Sequence, residues 1–330
     1  MPGYVLDGAG LVELPRQPLA VAVTALDLPV AVRAMTADGE PAPGALYPRP
    51  GFMVLPHVGG EIVIVARPHA EGTAFPQGTV LQATLGVDSS RTADPDRAEL
   101  TPLDVSGLHH VELATVTPAG ERLAVAARKT AVDVPLTELG ARARSAARGV
   151  LGVDRLPVNR RVDVEVDIDT TMSMLPLIDD GSVREVVDLL TGVASVIGNR
   201  EELRVTMIGR SATPLPAHAL REVAGQVQNA LNSAGLGVGF RSASVDRSGY
   251  TTPTLVFTVT DAVPADHAAT GVPGVRRRPV VLSGEGAAVV DGSPSGTRRQ
   301  KLDDPDQLFA TVKSLVAGLA VAGESEGTRR

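Results

Sequence analysis

The chain changes its hydrophobic period near the middle. From Leu11 to about Leu136, apolar positions come in short runs rich in Val, Leu and Ala, broken by Gly, Pro, Asp and Thr. Leu19 to Leu26, Val30 to Met35, Gly51 to Leu55, Glu61 to Ala66, Thr79 to Leu85, His110 to Thr117 and Arg122 to Ala127 each predict a strand. Thr36 to Gly39 and Thr117 to Gly120 predict hairpin turns, with glycine supplying the positive φ. No segment before Thr137 has a helical period, so this half predicts an antiparallel β-sandwich.

After Thr137 the period lengthens. Leu139 to Leu151 reads as a basic, alanine-rich helix, and Gly152 to Arg161, with Pro157 and Asn159, as a linker. A β-branched run ending at Asp169 predicts a strand and Val183 to Ile197 a helix. Glu202 to Ile208, Leu255 to Thr260 and Pro279 to Leu282 predict further strands. Ala217 to Asn232 places Leu220, Val223, Val227 and Leu231 on one helical face. Asp304 to Leu319 predicts a helix whose acidic first turn suits the helix dipole. The alternation predicts a three-layer, mostly parallel sheet flanked by helices. The expected plan is a sandwich over 1–138, a helix and linker over 139–161, an α/β domain over 162–322 and a disordered polar tail over 323–330. One feature opposes the pattern: Asp163, Glu165 and Asp167 alternate with valines in a strand that should be apolar on both faces. Either that face is incompletely covered by a helix or the acids meet basic partners.

Composition narrows the function. The 330 residues suffice for two cores, 43% are hydrophobic and 21% charged. Aromatics make up 2% with no Trp, and the net charge is -7, so neither stacking faces nor a basic field favours nucleic acid. The chain has no cysteine, which removes disulfides and thiolate chemistry. Met1 to Gly8 lacks the basic start and apolar core of a secretory signal, and no apolar run reaches the ~20 residues of a membrane span. The expectation is a cytoplasmic protein without a membrane span.

The candidate chemistry centres on Asp169-Thr-Thr171-Met-Ser173-Met174, a carboxylate and two hydroxyls at the carboxyl end of a strand, where ligands bind in open α/β sheets. A purely structural role, capping and turning the chain into the next helix, uses the same residues. The motif resembles the metal-binding Asp-x-Ser-x-Ser loop of von Willebrand factor A (vWA) domains, with Thr171 in the middle position. The resemblance extends over about Val162 to Ala320 and includes Thr260-Asp261-Ala262, where that family usually has Thr-Asp-Gly. It implies a Rossmann-type fold and a Mg²⁺ or Mn²⁺ ion held by Asp169, Thr171, Ser173 and Asp261. It also implies a threonine from another loop, for which Thr213 is the first choice and Thr251 and Thr252 are alternatives. A partner protein's Asp or Glu would then complete the metal.

The same stretch also fits the Asp-x-Asp-x-Thr loop of haloacid-dehalogenase-type phosphatases. Asp167 would be the nucleophile, Asp169 the acid, and Asp261 to Asp266 would supply magnesium acids. No lysine lies between Asp169 and Asp261 to steady a phosphoryl group. In the first half, Asp94 to Leu113 resembles part of TerD-type tellurium-resistance domains, implying Ca²⁺ on Asp94, Asp96 and Glu99; an acidic surface loop is the alternative. His109, His110 and His267 have no ligand spacing among themselves and read as surface or core residues. The Arg276-Arg277-Arg278 run reads as a solvated face. Together these features imply a metal-dependent protein–protein scaffold, with the two resemblances pointing to bacterial tellurite and stress-response systems.

Overall fold

The computed structural model describes residues 3–7, 10–88, 95–128, 134–234, 236–237, 244–263, 272–283, 286–287 and 302–319. The fold is mixed α/β, and the tail over 323–330 lies outside the described residues. Two compact units divide it. One takes the residues up to 128 and Leu151–Pro157; the other takes Val134–Val150 and Val158–Gly318.

The first unit is built of strands: β1 (Gly3–Leu6), β2 (Leu11–Pro15), β3 (Leu19–Thr24), β4 (Val30–Thr36), β5 (Leu46–Arg49), β6 (Phe52–Leu55), β7 (Ile62–Pro68), β8 (Val80–Val87), β9 (Arg97–Asp104), β10 (Val111–Ala119) and β11 (Arg122–Ala127). They form a six-stranded sheet, β1-β9-β8-β3-β6-β5, and a five-stranded sheet, β2-β11-β10-β7-β4. Period-two alternation drives the packing: Leu19, Val21 and Val23 of β3 are buried while Ala20 and Ala22 are only partly so. One apolar cluster draws on both sheets, taking those three residues with Ile62, Ile64 and Ala66 of β7 and Phe75. Pairing is antiparallel except between β1 and β9, which run parallel. This departs from the all-antiparallel expectation. At Gly51 (φ 69°) an added Cβ would stand 2.4 Å from the Val23 carbonyl oxygen, so only glycine fits beside β3.

The second unit carries α1 (Glu138–Leu151), β12 (Asp163–Asp169), α2 (Leu175–Asp179), α3 (Ser182–Ile197), β13 (Glu202–Ile208), β14 (Ala212–Pro214), β15 (His218–Ala219), α4 (Leu220–Ser233), β16 (Thr254–Thr260), β17 (Val275–Ser283), β18 (Gly286–Ala287) and α5 (Pro305–Leu315). Its centre is four parallel strands, β13-β12-β16-β17, with β14 and β15 antiparallel on β13 and β18 antiparallel on β17. Helix α3 is buried on almost every side and packs against α4. It also meets α1 at Gly192, where a Cβ would come 2.2 Å from the Gly140 carbonyl oxygen.

The alternating acids of β12 meet bases. Val164, Val166 and Ile168 take one face, and Asp163, Glu165 and Asp167 take the other, each at most 9% exposed. Asp163 accepts from Asn199 (3.1 Å) and Arg200 (3.2 Å). Glu165 accepts from Arg204 (3.4 Å), Tyr250 (3.0 Å) and Arg247 Nε (2.8 Å). Asp167 takes both Nη groups of the same Arg247, at 2.7 and 3.2 Å. Charged groups can be buried there because every carboxylate has its counterion and its hydrogen bonds. Burial, together with the bond to Glu165, raises the Tyr250 hydroxyl above its ordinary pKa and keeps it a donor.

Candidate functional site

The ladder of acids ends at Asp169, where strand gives way to loop. Parallel pairing sets Asp169 beside Ile208 of β13, and Ile168 beside Val259 of β16. The carboxyl ends of three strands therefore meet at one edge. The loop is pinned by its backbone: Thr170 N–H donates to the Ile208 carbonyl (2.9 Å), Met172 N–H to that of Gly237 (2.9 Å) and Gly237 N–H to that of Thr170 (3.0 Å). A Met172–Met174 3₁₀ turn follows, anchored by the buried Met174.

Within this frame Asp169, 6% exposed, accepts from the Thr171 amide (2.9 Å) and from the Thr260 hydroxyl (2.9 Å). The Thr171 and Ser173 hydroxyl oxygens stand 3.1 Å apart. Two cis ligands of a Mg²⁺ ion with bonds of about 2.0–2.1 Å lie about 2.9 Å from each other. The hydroxyl pair thus has the spacing of one octahedral edge, with a carboxylate beside it, and the donor set fits a hard divalent ion. The Asp169–Thr171 amide bond is also what a turn-forming aspartate makes, so it serves both roles.

Asp261 follows Thr260 at the end of β16 and is partly exposed. The side chain from this strand that touches Asp169 is Thr260, whose hydroxyl contact spans 91 positions of sequence. Thr213, exposed on β14, lies elsewhere at the same edge, lining a cleft of about 440 Å³ with Thr170, Gly209, Arg210 and Ser211. Gly209 admits the Thr170 hydroxyl, which would be 2.7 Å from a Cβ there. Thr251 and Thr252 are excluded as ligands. They precede Thr254, which pairs with Asp163 at the opposite end of β12, and six strand residues at about 3.3 Å each put them about 20 Å away.

Asp167 is poorly placed for nucleophilic attack: it is 4% exposed and both oxygens are held by Arg247. Asp266, its expected downstream partner, lies outside the described residues, as do His267 and Asp94. Of the expected Asp94, Asp96 and Glu99, Asp96 immediately precedes strand β9, and Glu99 is in that strand and pairs with Arg97 (3.3 Å). In β9 Ala98 faces inward and Arg97 and Glu99 outward.

Sequence reasoning missed a second group. His110, Glu112 and Asp154 bring one ligand atom each within 4.8 Å of one another, making a possible metal-binding group. His110 and Glu112 are 3% and 8% exposed. Their i, i+2 spacing on an extended segment was visible, but Asp154 arrives from 42 positions beyond Glu112, where its amide donates to the Glu112 carboxylate (3.1 Å). No described helix is long and apolar enough to cross a membrane. No family model matches the sequence, and a search of curated proteins returns no match.

Proposed function

We propose that the chain is a metal-dependent scaffold for protein–protein recognition. Its second unit would be a vWA-like, three-layer Rossmann-type domain, and its first a β-sandwich of TerD-like kind. The reading rests above all on the 3.1 Å pair of Thr171 and Ser173 hydroxyls beside Asp169 at the carboxyl edge of the parallel strands. Asp169, Thr171 and Ser173 would hold Mg²⁺ or Mn²⁺, with Asp261 acting directly or through water. A lightly charged ligand set leaves the ion electrophilic when bound, so an Asp or Glu from a partner protein offsets its remaining charge. Thr260 orients the Asp169 carboxylate, and the backbone bonds of Thr170 and Met172 hold the loop ready. Thr213 and the cleft beside it would form part of the rim against which a partner lies. The two family resemblances together favour a cytoplasmic stress- or tellurite-response setting.

Calorimetric titration with Mg²⁺ and Mn²⁺ tests the reading. One Mg²⁺ site is expected, lost in Asp169→Ala, along with a Mg²⁺-dependent rise in melting temperature. Absence of divalent binding at millimolar concentration refutes it. Under the competing phosphatase reading, a phosphate ester would be hydrolysed with Mg²⁺ and Asp167→Asn would be inactive; no turnover is expected, since Asp167 is committed to Arg247.

A further inference from the structure

We propose that His110, Glu112 and Asp154 form a second metal site, in the first unit, selective for a transition divalent ion of the Zn²⁺ class rather than for Mg²⁺ or Ca²⁺. Donor chemistry sets the selectivity. An imidazole nitrogen with two carboxylate oxygens is a borderline set that suits Zn²⁺, whereas Mg²⁺ and Ca²⁺ take oxygen alone.

The geometry is close to what such an ion needs. Three donor atoms no more than 4.8 Å apart lie at most about 2.8 Å from their common centre. Each therefore moves inward by about 0.7 Å or less to reach bonds of about 2.1 Å. Side chains make such a shift without moving the strand. The two donors on the β10 segment are preset on one side by period-two alternation, and β10 is bulged between Glu112 and Ala114, beside the group. Asp154 is less buried and comes from outside the sheet.

The charge around Glu112 is already balanced, and this sharpens the inference. Arg128 forms an ion pair with the Glu112 carboxylate, and its Nε donates to the Thr115 hydroxyl (2.9 Å). The Arg128 side chain is 37% exposed. Its guanidinium can thus give up Glu112 to an incoming cation and return to water at low cost. In this scheme Arg128 is the resident counterion that a divalent ion displaces. A purely structural role for the cluster, a buried histidine beside an Arg–Glu pair, predicts the reverse for Arg128: its loss should harm the site.

Zn²⁺ titration of the full chain, stripped with EDTA, decides between them, with visible absorption of the Co²⁺ form as a second readout. One Zn²⁺ site is expected that persists in Asp169→Ala. It should weaken at least tenfold in Asp154→Asn and in His110→Gln, and tighten in Arg128→Gln. The Co²⁺ bands should be lost in His110→Gln. If His110→Gln does not fold, Asp154→Asn, at a partly exposed position, carries the test. Affinity for Zn²⁺ unchanged in Asp154→Asn, or weaker binding in Arg128→Gln, overturns the proposal.

Discussion

Arg247 is the bulkiest of the fully buried side chains among the described residues, at 2% exposure, and it bonds two carboxylates at once. Such a group stabilises little in net terms, yet removing it alone strands two buried negative charges. Arg247→Met should therefore cost about 3–5 kcal/mol in urea unfolding, and much less when Glu165→Gln and Asp167→Asn are already present. Asp188 on α3 shows the opposite situation. Burial pushes its carboxyl above the ordinary value, more than its bond to Thr137 and the charge of Arg184 lower it. The folded state thus holds this proton more tightly than the unfolded chain. Stability from this group is full below about pH 3.8 and is lost as the carboxyl ionises with rising pH. Melting of Asp188→Asn against wild type from pH 3 to 7 should show a gap that opens upward in favour of the variant. At this scale the sequence showed what was local. Asp169, Thr171 and Ser173 were legible because alternate positions in one loop share a side. Thr260 and Asp154 were not, since strand pairing and chain return bring them in from 91 and 42 positions away.

Among the elements, those with a strong period were the most legible. Glu202–Ile208 and Arg122–Ala127 begin and end where their alternation does. The strands β1, β2, β5 and β9 were missed because they are short, edge-lying or mostly exposed, so no clean apolar alternation marks them. Helix α4 starts at Leu220, three residues later than its pattern suggests, because His218–Ala219 pair with β13 first. Helix α3 supplies the test of this scale. Helix propensity alone makes Gly192→Ala stabilising by about 1 kcal/mol. The added methyl would meet the Gly140 carbonyl at 2.2 Å and the Ala143 Cβ at 2.8 Å. Forcing α1 off α3 should cost about 1–3 kcal/mol, so chemical denaturation should show destabilisation, against propensity.

For the whole molecule, the change of period near Thr137 was the legible feature, and each unit has its own sheets. The two candidate metal sites lie in different units and offer different donors. Scanning calorimetry should accordingly resolve two transitions, one raised by Mg²⁺ and abolished as a response by Asp169→Ala, the other raised by Zn²⁺. The acidic face of β12 also bears on how the chain finds this arrangement. Val164, Val166 and Ile168 are nearly interchangeable, so a slide of two residues along β13 and β16 would keep every apolar side chain facing inward. The same slide would keep acids opposite Arg247 but put Asp in the place of Glu165, breaking the two-pronged Asp167–Arg247 pair, the Glu165 bond to Tyr250 and the Asp163 bond to Arg200. The carboxylates act as the teeth of a key. Because each base set is shaped for one carboxylate length, they favour the observed register over shifted ones that the valines alone would tolerate, and with it the place where Asp169 emerges.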